Sequence, residues 1–328
     1  LLWNMILGSI ERTKCNIYWV TFEIWFIHGR TCACAYLHTV IEYFEQSFEY
    51  LITKDSFMNE FVLFERKTLA QEQFDEILDV NICQINIDLN GSIGDRSNIE
   101  IDFANADIGF GKTGTQEEMI FGSTIEICVA MLFCDTINDN EAIMMKGARK
   151  ISKFVGYGLN VAFKELIPFE SQNWTDRIII AIDSLDFGYC ENEFESILEQ
   201  FKSENLNREL RKAIVGFLCV NNSWIETGFW GCGAFCGSKE LKALIQICAA
   251  SFTKNNLNFY CFGDKTFSEK FENFIKFLCQ NNLNIKDLWH LIKKISTNIS
   301  KYSQSFSIFY EIMQINSKNK IENSQEPQ

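Results

Sequence analysis

The feature that most constrains this chain is the stretch Ile101–Phe121, which reads IDFANADIGFGKTGTQEEMIF. Apolar and polar residues alternate over Ile99–Phe103, which is the period of a half-buried strand. A loop with spaced glycines follows, and a long apolar run begins after the adjacent carboxylates Glu117 and Glu118. A strand, a glycine loop and a helix start in this order are typical of ligand sites in open α/β sheets. Because glycine lets the backbone approach a ligand closely, the stretch predicts a binding loop beside two acids.

The length and composition bound the class of protein. With 328 residues and 47% hydrophobic side chains, the chain can bury a large core, so we expect one large α/β domain with an accessory subdomain. The best candidate for a membrane helix, Ile17–Ile27, is shorter than the ~18 to 20 residues needed and contains Glu23. We therefore expect no membrane association. Thirteen cysteines without regular spacing are typical of a reduced, intracellular protein.

The charge balance is acidic, with 43 acidic and 30 basic residues and a net charge of −13. Proteins that grip nucleic acid through its phosphates normally carry a basic face, so we expect no direct DNA binding. A ligand that carries phosphate would have to be held locally by backbone amides.

Strands and helices are predicted to alternate after a helical N-terminal segment, Leu1 to about Phe57, and before a polar, disordered tail, Ser317–Gln328. The continuous apolar run at Ile178–Ile182 indicates a strand that is covered on both faces. Strands are predicted at Phe61–Phe64, Val80–Leu89 (bulged), Ile99–Phe103, Ala142–Met145, Ile178–Ile182, Ala213–Leu218 and Leu257–Phe262. Helices are predicted at Glu42–Leu51, Met119–Cys134, Asn192–Lys202, Leu241–Phe252 and Phe267–Gln280.

Four residues near the N-terminus, His28, Cys32, Cys34 and His38, have a spacing that could suit zinc. In a single helix with ~100° per residue, His28 and Cys32 share a face, whereas Cys34 and His38 lie about 200° round from Cys32. Core packing therefore explains these residues better than a metal site, and we expect no metal.

A second glycine cluster occupies Thr227–Gly237, between the predicted strand Ala213–Leu218 and a helix that starts near Lys239. Closely spaced glycines before a helix can turn successive N–H groups inward and form a concavity that suits a diphosphate. Trp230 and Phe235 would wall such a concavity. A tight turn packed under a hydrophobic lid explains the same spacing, and the pattern alone does not separate the two interpretations.

Several stretches together resemble poly(ADP-ribose) glycohydrolases, whose catalytic domain is a macrodomain. They follow the family's order between about residues 57 and 290. The matching stretches are Ile101–Asn105, Gln116–Glu118, Gly156–Tyr157, Ile180–Asp183, Thr227–Phe235, Leu241–Gln246 and Phe262–Asp264. The resemblance implies an α/β fold, a macrodomain-like three-layer α/β/α arrangement with a mixed central sheet. A helical accessory region at residues 1–57 would precede a catalytic domain at 58–316, and a disordered tail would occupy 317–328.

The resemblance also implies roles for individual residues. Glu118 matches the catalytic acid, Glu117 matches the residue that fixes the ribose hydroxyls, and Asp102 would support that edge of the site. The diphosphate loop is matched by Gly231–Phe235, and Phe262 is the expected adenine stacker. Substrate contacts are implied at Asn105, Gln116, Gly109, Gly111, Ile93, Asp95, Tyr157, Trp230, Gly231, Cys232, Gly233, Ala234, Phe235 and Phe262.

The implied activity is hydrolysis of the ribose–ribose bonds of poly(ADP-ribose), with release of ADP-ribose. Glu118 would protonate the leaving ribose oxygen and then deprotonate the attacking water. Partial burial and the neighbouring Glu117 would both raise the pKa of this carboxyl group. No cofactor is implied. The expected partners are poly(ADP-ribose), ADP-ribose and ADP-ribosylated proteins, and we expect a monomer in the nucleus or the cytoplasm.

Departures from the family pattern keep a second interpretation open. Where the family has three consecutive glycines, this chain has Gly109-Phe110-Gly111 followed by a short loop, and Phe229, Cys236 and Ser238 replace an asparagine, a glycine and an aspartate. A module that binds ADP-ribose without efficient cleavage fits these changes, and so does hydrolysis of mono-ADP-ribosylated protein. Purely structural roles also stay open for these residues. Thr115-x-x-Glu118 fits a helix capping box, and Tyr157 and Phe262 could be core aromatics.

Overall fold

The computed structural model describes residues 31–53, 60–70, 79–110, 114–302 and 307–325. The chain divides into two compact units. The first contains the described residues up to Arg66 together with Asp102–Asn138 and Ile143–Ile182. The second contains Lys67–Ile101, Asp139–Ala142 and the described residues from Asp183 onward.

The strands alternate with helices along the chain, and their order in the main sheet is β1-β4-β7-β3-β8-β9-β2. This sheet is mixed, because β4 and β7 pair antiparallel while β3–β8, β8–β9 and β9–β2 pair parallel. A separate antiparallel pair is formed by β5 and β6. The strands are β1 (Leu63–Thr68), β2 (Ile85–Asp88), β3 (Ile99–Ala104), β4 (Glu141–Lys146), β5 (Ser152–Val155), β6 (Ala162–Leu166), β7 (Ile178–Asp183), β8 (Trp224–Thr227) and β9 (Asn256–Tyr260).

Along the chain, the helices of the described residues occur before, between and after these strands, as expected for an α/β protein. They are α1 (Thr31–Thr53), α2 (Gln116–Ser123), α3 (Glu193–Gln200), α4 (Ser203–Phe217), α5 (Lys239–Phe252), α6 (Lys265–Gln280), α7 (Ile285–Ser296) and α8 (Ile308–Gln325). A 3₁₀ helix, Ile125–Leu132, follows α2. Within the described residues, no helix combines the length and the apolar character that a membrane crossing needs.

In the first unit, helix α1 packs against the start of α2 and the β5–β6 pair. The fully buried ring of Tyr36 lies 5.5 Å from Phe110 and 5.3 Å from Phe154 between ring centroids. The hydroxyls of Thr39 and Ser152 are hydrogen-bonded at 2.7 Å. The helix predicted in the accessory region is therefore present and is built into the core of this unit.

In the second unit, a cluster of phenylalanines joins strand β9 to helices α6 and α8. The Phe259 ring lies 5.0 Å from that of Phe271, and Phe309 stacks on Phe274 at 4.5 Å and on Phe271 at 5.5 Å. Buried aromatics of this size dominate core energetics, so the first turn of α8 is fixed to α6, which in turn packs on β9.

Most of the predicted elements are confirmed. Strands occupy the predicted positions at β3, β4, β7 and β9, and the apolar run of β7 is buried from Ile179 onward. Helices α3, α5 and α6 match their predictions to within a few residues. The predicted helix Met119–Cys134 begins earlier, at Gln116, and continues after Ser123 as a 3₁₀ helix.

The strand predicted at Ala213–Leu218 is wrong, because these residues complete helix α4. A short apolar run has no period that separates a buried strand from a buried helix, and nearly all of this segment is buried. The strand that leads into the second glycine cluster is β8 instead. Helix α8 extends to Gln325, past Ser317, where the sequence predicts a disordered tail. The domain boundaries remain a prediction.

Candidate active site

The residues predicted to contact substrate are divided between the two units. The first unit holds Asp102, Asn105, Gly109, Gln116, Glu117, Glu118 and Tyr157. The second holds Ile93, Asp95, Trp230, Gly231, Cys232, Gly233, Ala234, Phe235 and Phe262. Gly111 lies outside the described residues.

In the first unit, the buried carboxylate of Glu117 holds the loop that follows β3. One of its oxygens accepts the backbone N–H of Asn105 at 2.9 Å and the other accepts the N–H of Gly109 at 2.8 Å. Gly109 has a φ of 131°, which favours glycine, and Met131 occupies the space that a side chain there would need. The predicted ribose-fixing residue is therefore also the anchor of its own loop.

The electrostatic environment disfavours the charged form of Glu117. Burial raises the pKa of this carboxyl group well above its usual value, and the charge of the fully buried Asp102 raises it further. The amides of Gly109 and Asn105 act in the opposite direction. Asp102 of β3 therefore acts on Glu117 through its charge, and its predicted support of the site stays a prediction.

Glu118 lies in the first turn of α2 and is also buried. Its Oε2 accepts the backbone N–H of Thr115 at 2.5 Å, which is the return bond of a capping box. The purely structural role that the sequence allowed for Glu118, as part of a helix capping box, is therefore present in this structure. This hydrogen bond does not exclude acid–base chemistry, because the carboxyl group can give it up and form another hydrogen bond in its place.

Two tyrosines surround Glu118 in the first unit. Burial raises the pKa of Tyr36 and of Tyr157, and for both the charge of Glu118 is the second cause. Tyr36 belongs to α1, and its ring occupies the place where a side chain at Gly122 of α2 would lie. Tyr157 is 54% exposed, so it is available to a ligand rather than part of the core.

The remaining predicted contacts of the first unit are partly engaged within the protein. Gln116 Oε1 accepts the N–H of Phe103 at 2.8 Å, and Asn105 Oδ1 accepts the N–H of Asp107 at 3.0 Å. Phe110, which replaces a family glycine, turns inward, with its ring 6.0 Å from that of Phe121. This departure therefore adds core packing.

In the second unit, the glycine loop follows β8 and is folded by its own hydrogen bonds. Trp230, Cys232, Cys236 and Gly237 donate their N–H groups to carbonyls within the loop, at 2.8 to 3.1 Å. Among the described residues, no acceptor is found for the N–H groups of Gly231, Gly233, Ala234 and Phe235. Unpaired amides in such a turn form an anion-binding concavity, which supports the diphosphate interpretation over a merely packed turn.

The buried amine of Lys242 lies beneath this loop, and burial lowers its pKa well below the ordinary value for lysine. Lys242 Nζ donates to Ser184 Oγ at 2.6 Å, pairs with Glu209 and sits 4.2 Å from the centre of the Trp230 ring. Lys242 and Ser184 occupy the space that a side chain at Gly231 would need, and Gly231 has a φ of 70°. Only glycine fits this position of the loop.

The prediction that the Trp230 ring forms a wall of the ligand site needs correction. The side chain of Trp230 is 0% exposed, because it packs against Lys242 beneath the loop, so its ring supports the loop from below and only its backbone can face a ligand. Phe235 is half-buried, and its carbonyl accepts the N–H of Phe187 at 2.9 Å.

Phe262 stands just beyond the end of β9 and is 48% exposed, as a stacking residue must be. Its φ of 46° is unusual for a phenylalanine, and its ring fills the space beside Gly228. Phe229 lies 5.8 Å from it and carries Lys239 Nζ 4.4 Å above its own ring. The phenylalanine that replaces the family's asparagine thus backs the exposed aromatic.

The loop after β2 carries the remaining predicted contacts. Ile93 is largely buried, and Asp95 Oδ2 accepts the N–H of Ser92 at 2.8 Å, which gives this acid a structural role in the loop. Sequence reasoning missed Glu226 of β8, whose buried carboxylate binds the backbone of the same loop. The signal was present, since Glu226 is an acid inside the apolar strand that leads to Thr227-Gly228.

The zinc interpretation gains no support. Cys32 is buried, Cys34 is exposed and the His38 ring packs at a tilt against Phe163 with 4.2 Å between the ring centroids, while His28 lies outside the described residues. Across the part of the chain that the structure describes, no group of three or more His, Cys, Asp or Glu side chains could hold a metal ion.

Comparison with known proteins identifies relatives. Residues 72–269 match the family model described as poly(ADP-ribose) glycohydrolase, macro domain fold. The chain is 34% identical over 224 residues to poly(ADP-ribose) glycohydrolase 2 of Caenorhabditis elegans, covering 63% of this chain and 46% of that protein. It is 31% identical over 279 residues to poly(ADP-ribose) glycohydrolase 1 of the same organism, covering 79% and 33%. The chain thus spans less than half the length of these relatives.

A solved structure of poly(ADP-ribose) glycohydrolase from Deinococcus radiodurans, in complex with ADP-ribose, aligns over 65% of this chain and 94% of that one. The sequence identity is 13% and the TM-score is 0.37, which is too low to carry an argument.

Proposed function

Because the chain belongs to the poly(ADP-ribose) glycohydrolase family, we propose that it hydrolyses the ribose–ribose bonds of poly(ADP-ribose) and releases ADP-ribose. The observation that carries the proposal is the buried pair Glu117 and Glu118 at the start of α2, next to the loop that Glu117 holds through two backbone amides. Carboxyl groups held in position are what acid–base cleavage of a glycosidic bond requires.

Glu118 is the proposed acid and base. In its protonated form it gives its proton to the oxygen of the leaving ribose while the bond from the anomeric carbon to that oxygen breaks. Water then adds to the anomeric carbon, and its proton returns to the Glu118 carboxylate. The cap bond to Thr115 N–H is compatible with both forms, because a carboxyl group that accepts at one oxygen can carry a proton on the other.

Glu117 is proposed to fix the ribose hydroxyls as well as its own loop. Its raised pKa favours a protonated carboxyl at a higher pH than usual, and a protonated carboxyl can donate as well as accept hydrogen bonds. Asn105, Gly109 and Gln116 are the proposed neighbours of that ribose.

The glycine loop of the second unit is the proposed diphosphate site. The unpaired N–H groups of Gly231, Gly233, Ala234 and Phe235 supply hydrogen bonds to the phosphate oxygens. An acidic protein can hold phosphates in this way because the donors are local and belong to the backbone.

Aromatic residues complete the proposal. The exposed Phe262 is proposed to stack on adenine, and Tyr157 is proposed to contact the ribose part of the ligand. We further infer that ADP-ribosylated proteins of the nucleus or cytoplasm carry the polymer. Twelve described cysteines are free thiols, which supports a reducing compartment.

Incubation of the purified chain with poly(ADP-ribose), followed by quantification of free ADP-ribose, tests the proposal. Turnover supports it. Calorimetry with ADP-ribose separates the ways it can fail: binding without turnover would make the protein a reader of ADP-ribose, and the absence of both would remove the proposed site.

A further inference from the structure

One buried carboxylate holds an entire loop of the second unit. Glu226 of β8 is fully buried, and its two oxygens accept the N–H groups of four consecutive residues. Oε2 accepts from Gly94 and, at 3.1 Å, from Asp95, whereas Oε1 accepts from Arg96 at 2.7 Å and from Ser97. Successive N–H groups that converge in this way form a concavity that normally binds an external anion. Here the anion is supplied by the protein.

The rest of the loop is built around this contact. Ser97 Oγ donates to the carbonyl of Trp224 at 2.7 Å, and the Arg96 guanidinium pairs with Asp88 at 2.5 Å. The φ of Gly94 is 94°, a conformation that L side chains rarely adopt. Since all four amides are consumed by Glu226, the loop cannot use them for a ligand, and its shape is fixed by one side chain.

The position of Glu226 links this loop to the glycine loop. The next residues in the chain, Thr227 and Gly228, end β8 and open the glycine loop. On the neighbouring strand β9, Glu226 pairs in register with Asn258, and β9 leads toward Phe262. The loop that Glu226 holds carries Ile93 and Asp95, two of the predicted substrate contacts, and the resemblance to the family implies that both contact the adenine.

We propose that Glu226 is a positioning residue that sets the affinity for the adenosine end of ADP-ribose. The inference rests on the proposed function, since it takes Ile93 and its loop as the wall of the adenine site. Glu226 acts through the loop and not on the substrate, because its carboxylate is buried and engaged by backbone donors.

Glu226→Gln tests this with almost no change in size. A glutamine oxygen can accept from two of the four amides, but its NH₂ group must then face the two other N–H donors. The loop has to shift, whereas Glu118 and Glu117 belong to the other unit. We expect a rise of about tenfold in KM for poly(ADP-ribose) and in Kd for ADP-ribose, with kcat within about twofold of the wild type, because bonds to a charged acceptor are the strong class.

Glu240→Gln is the matched control. Glu240 accepts the N–H of Phe309 at 3.0 Å and the hydroxyl of Ser307 at 3.0 Å, so it too holds backbone in the second unit. It belongs to neither proposed ligand loop. A loss of folded protein lowers the apparent kcat without moving KM, so both variants would share that effect, and only Glu226→Gln should raise KM and Kd.

Should Glu226→Gln fail to fold, Ser97→Ala gives the same comparison in a milder form. It removes the bond to the Trp224 carbonyl and the bond that the Ile99 N–H donates to Ser97 Oγ at 3.2 Å, and it leaves the Glu226 amides. We expect a rise of about two- to threefold in KM, consistent with the modest worth of neutral hydrogen bonds.

The outcomes are distinguishable. An active wild type whose KM and Kd are unchanged by Glu226→Gln, or by Ser97→Ala where the first does not fold, overturns the inference and leaves the proposed function standing. A wild type that binds without turnover refutes cleavage, and the Kd values alone then decide the inference. A wild type that neither binds nor cleaves overturns both.

Discussion

The carboxylate Oε2 of Glu118 accepts the backbone N–H of Thr115 at 2.5 Å, so the residue proposed as acid and base also caps helix α2. The helix cap and the proposed chemistry therefore involve the same side chain, and a variant has to separate them.

Replacement of Glu118 by alanine and by glutamine separates the two roles. Alanine removes the return bond of the capping box and should lower the free energy of unfolding by about 1 kcal/mol, whereas glutamine can keep that bond. Denaturant unfolding of both variants measures the difference. Equal stability of the two variants would contradict a structural role for the cap.

Gly122→Ala should destabilise the first unit. The added Cβ would lie less than 3.0 Å from the Tyr36 ring of α1, and forced overpacking of a core costs about 1 to 3 kcal/mol. A double-mutant cycle with Tyr36→Ala measures the effect, because removal of the ring should relieve the clash. Strict additivity of the two substitutions would show that α1 is not packed there.

Lys212→Met should destabilise the second unit without touching the proposed chemistry. The Lys212 ammonium is fully buried and lies 2.6 Å from Asp183 Oδ1 at the end of β7. Breaking a buried pair leaves an uncompensated charge, for which we expect a loss of about 3 kcal/mol, moderated by the second partner Arg208.

The matched control for that variant is Lys202→Met, which removes the exposed pair with Glu199 at 2.7 Å. Surface pairs contribute about 0 to 1 kcal/mol, so this variant should unfold almost as the wild type does. Equal losses for the two lysines would contradict a structural role for the buried pair of Lys212 and Asp183.

The raised pKa of Glu117 predicts a pH dependence of stability. Between the ordinary value of 4.5 and the raised value, the folded protein binds more protons at Glu117 than the unfolded chain does. The free energy of unfolding should therefore fall as pH rises through this window, and Glu117→Gln should lack this component. Urea unfolding of both proteins from pH 4.5 upward measures the slopes, and identical slopes would contradict the prediction.

Individual residues show which parts of the fold and of the site can be predicted from the sequence. The apolar run Ile178–Ile182 predicted the strand β7 correctly, and the pattern Thr115-x-x-Glu118 fits the observed cap of α2, because both patterns are local. The apolar run from Met119 placed the start of that helix three residues too late. The strand prediction for Ala213–Leu218 was wrong, because a short buried run has no period that distinguishes a strand from a helix. Glu226 stands out in the sequence as an acid within β8, but its role could not be predicted because its four amide partners lie about 130 residues away in sequence. Contacts of that separation exist only once the chain has folded.

Trp230 shows the same limit of prediction from sequence, here within a recognised motif. Its place in the glycine cluster indicated a ligand wall, whereas its ring is buried against Lys242, a residue twelve positions further on. A motif predicts which backbone surrounds a ligand better than it predicts which side chains face it.

The most direct test of the account is the rate of ADP-ribose release from poly(ADP-ribose) by the wild type and by Glu118→Gln, with the Kd for ADP-ribose measured for both. The substitution keeps the size and the cap of Glu118 and removes its acid. We expect turnover to fall by about 10²- to 10⁴-fold while the Kd stays within about twofold, as loss of a general acid requires. Wild-type turnover in Glu118→Gln would contradict the account.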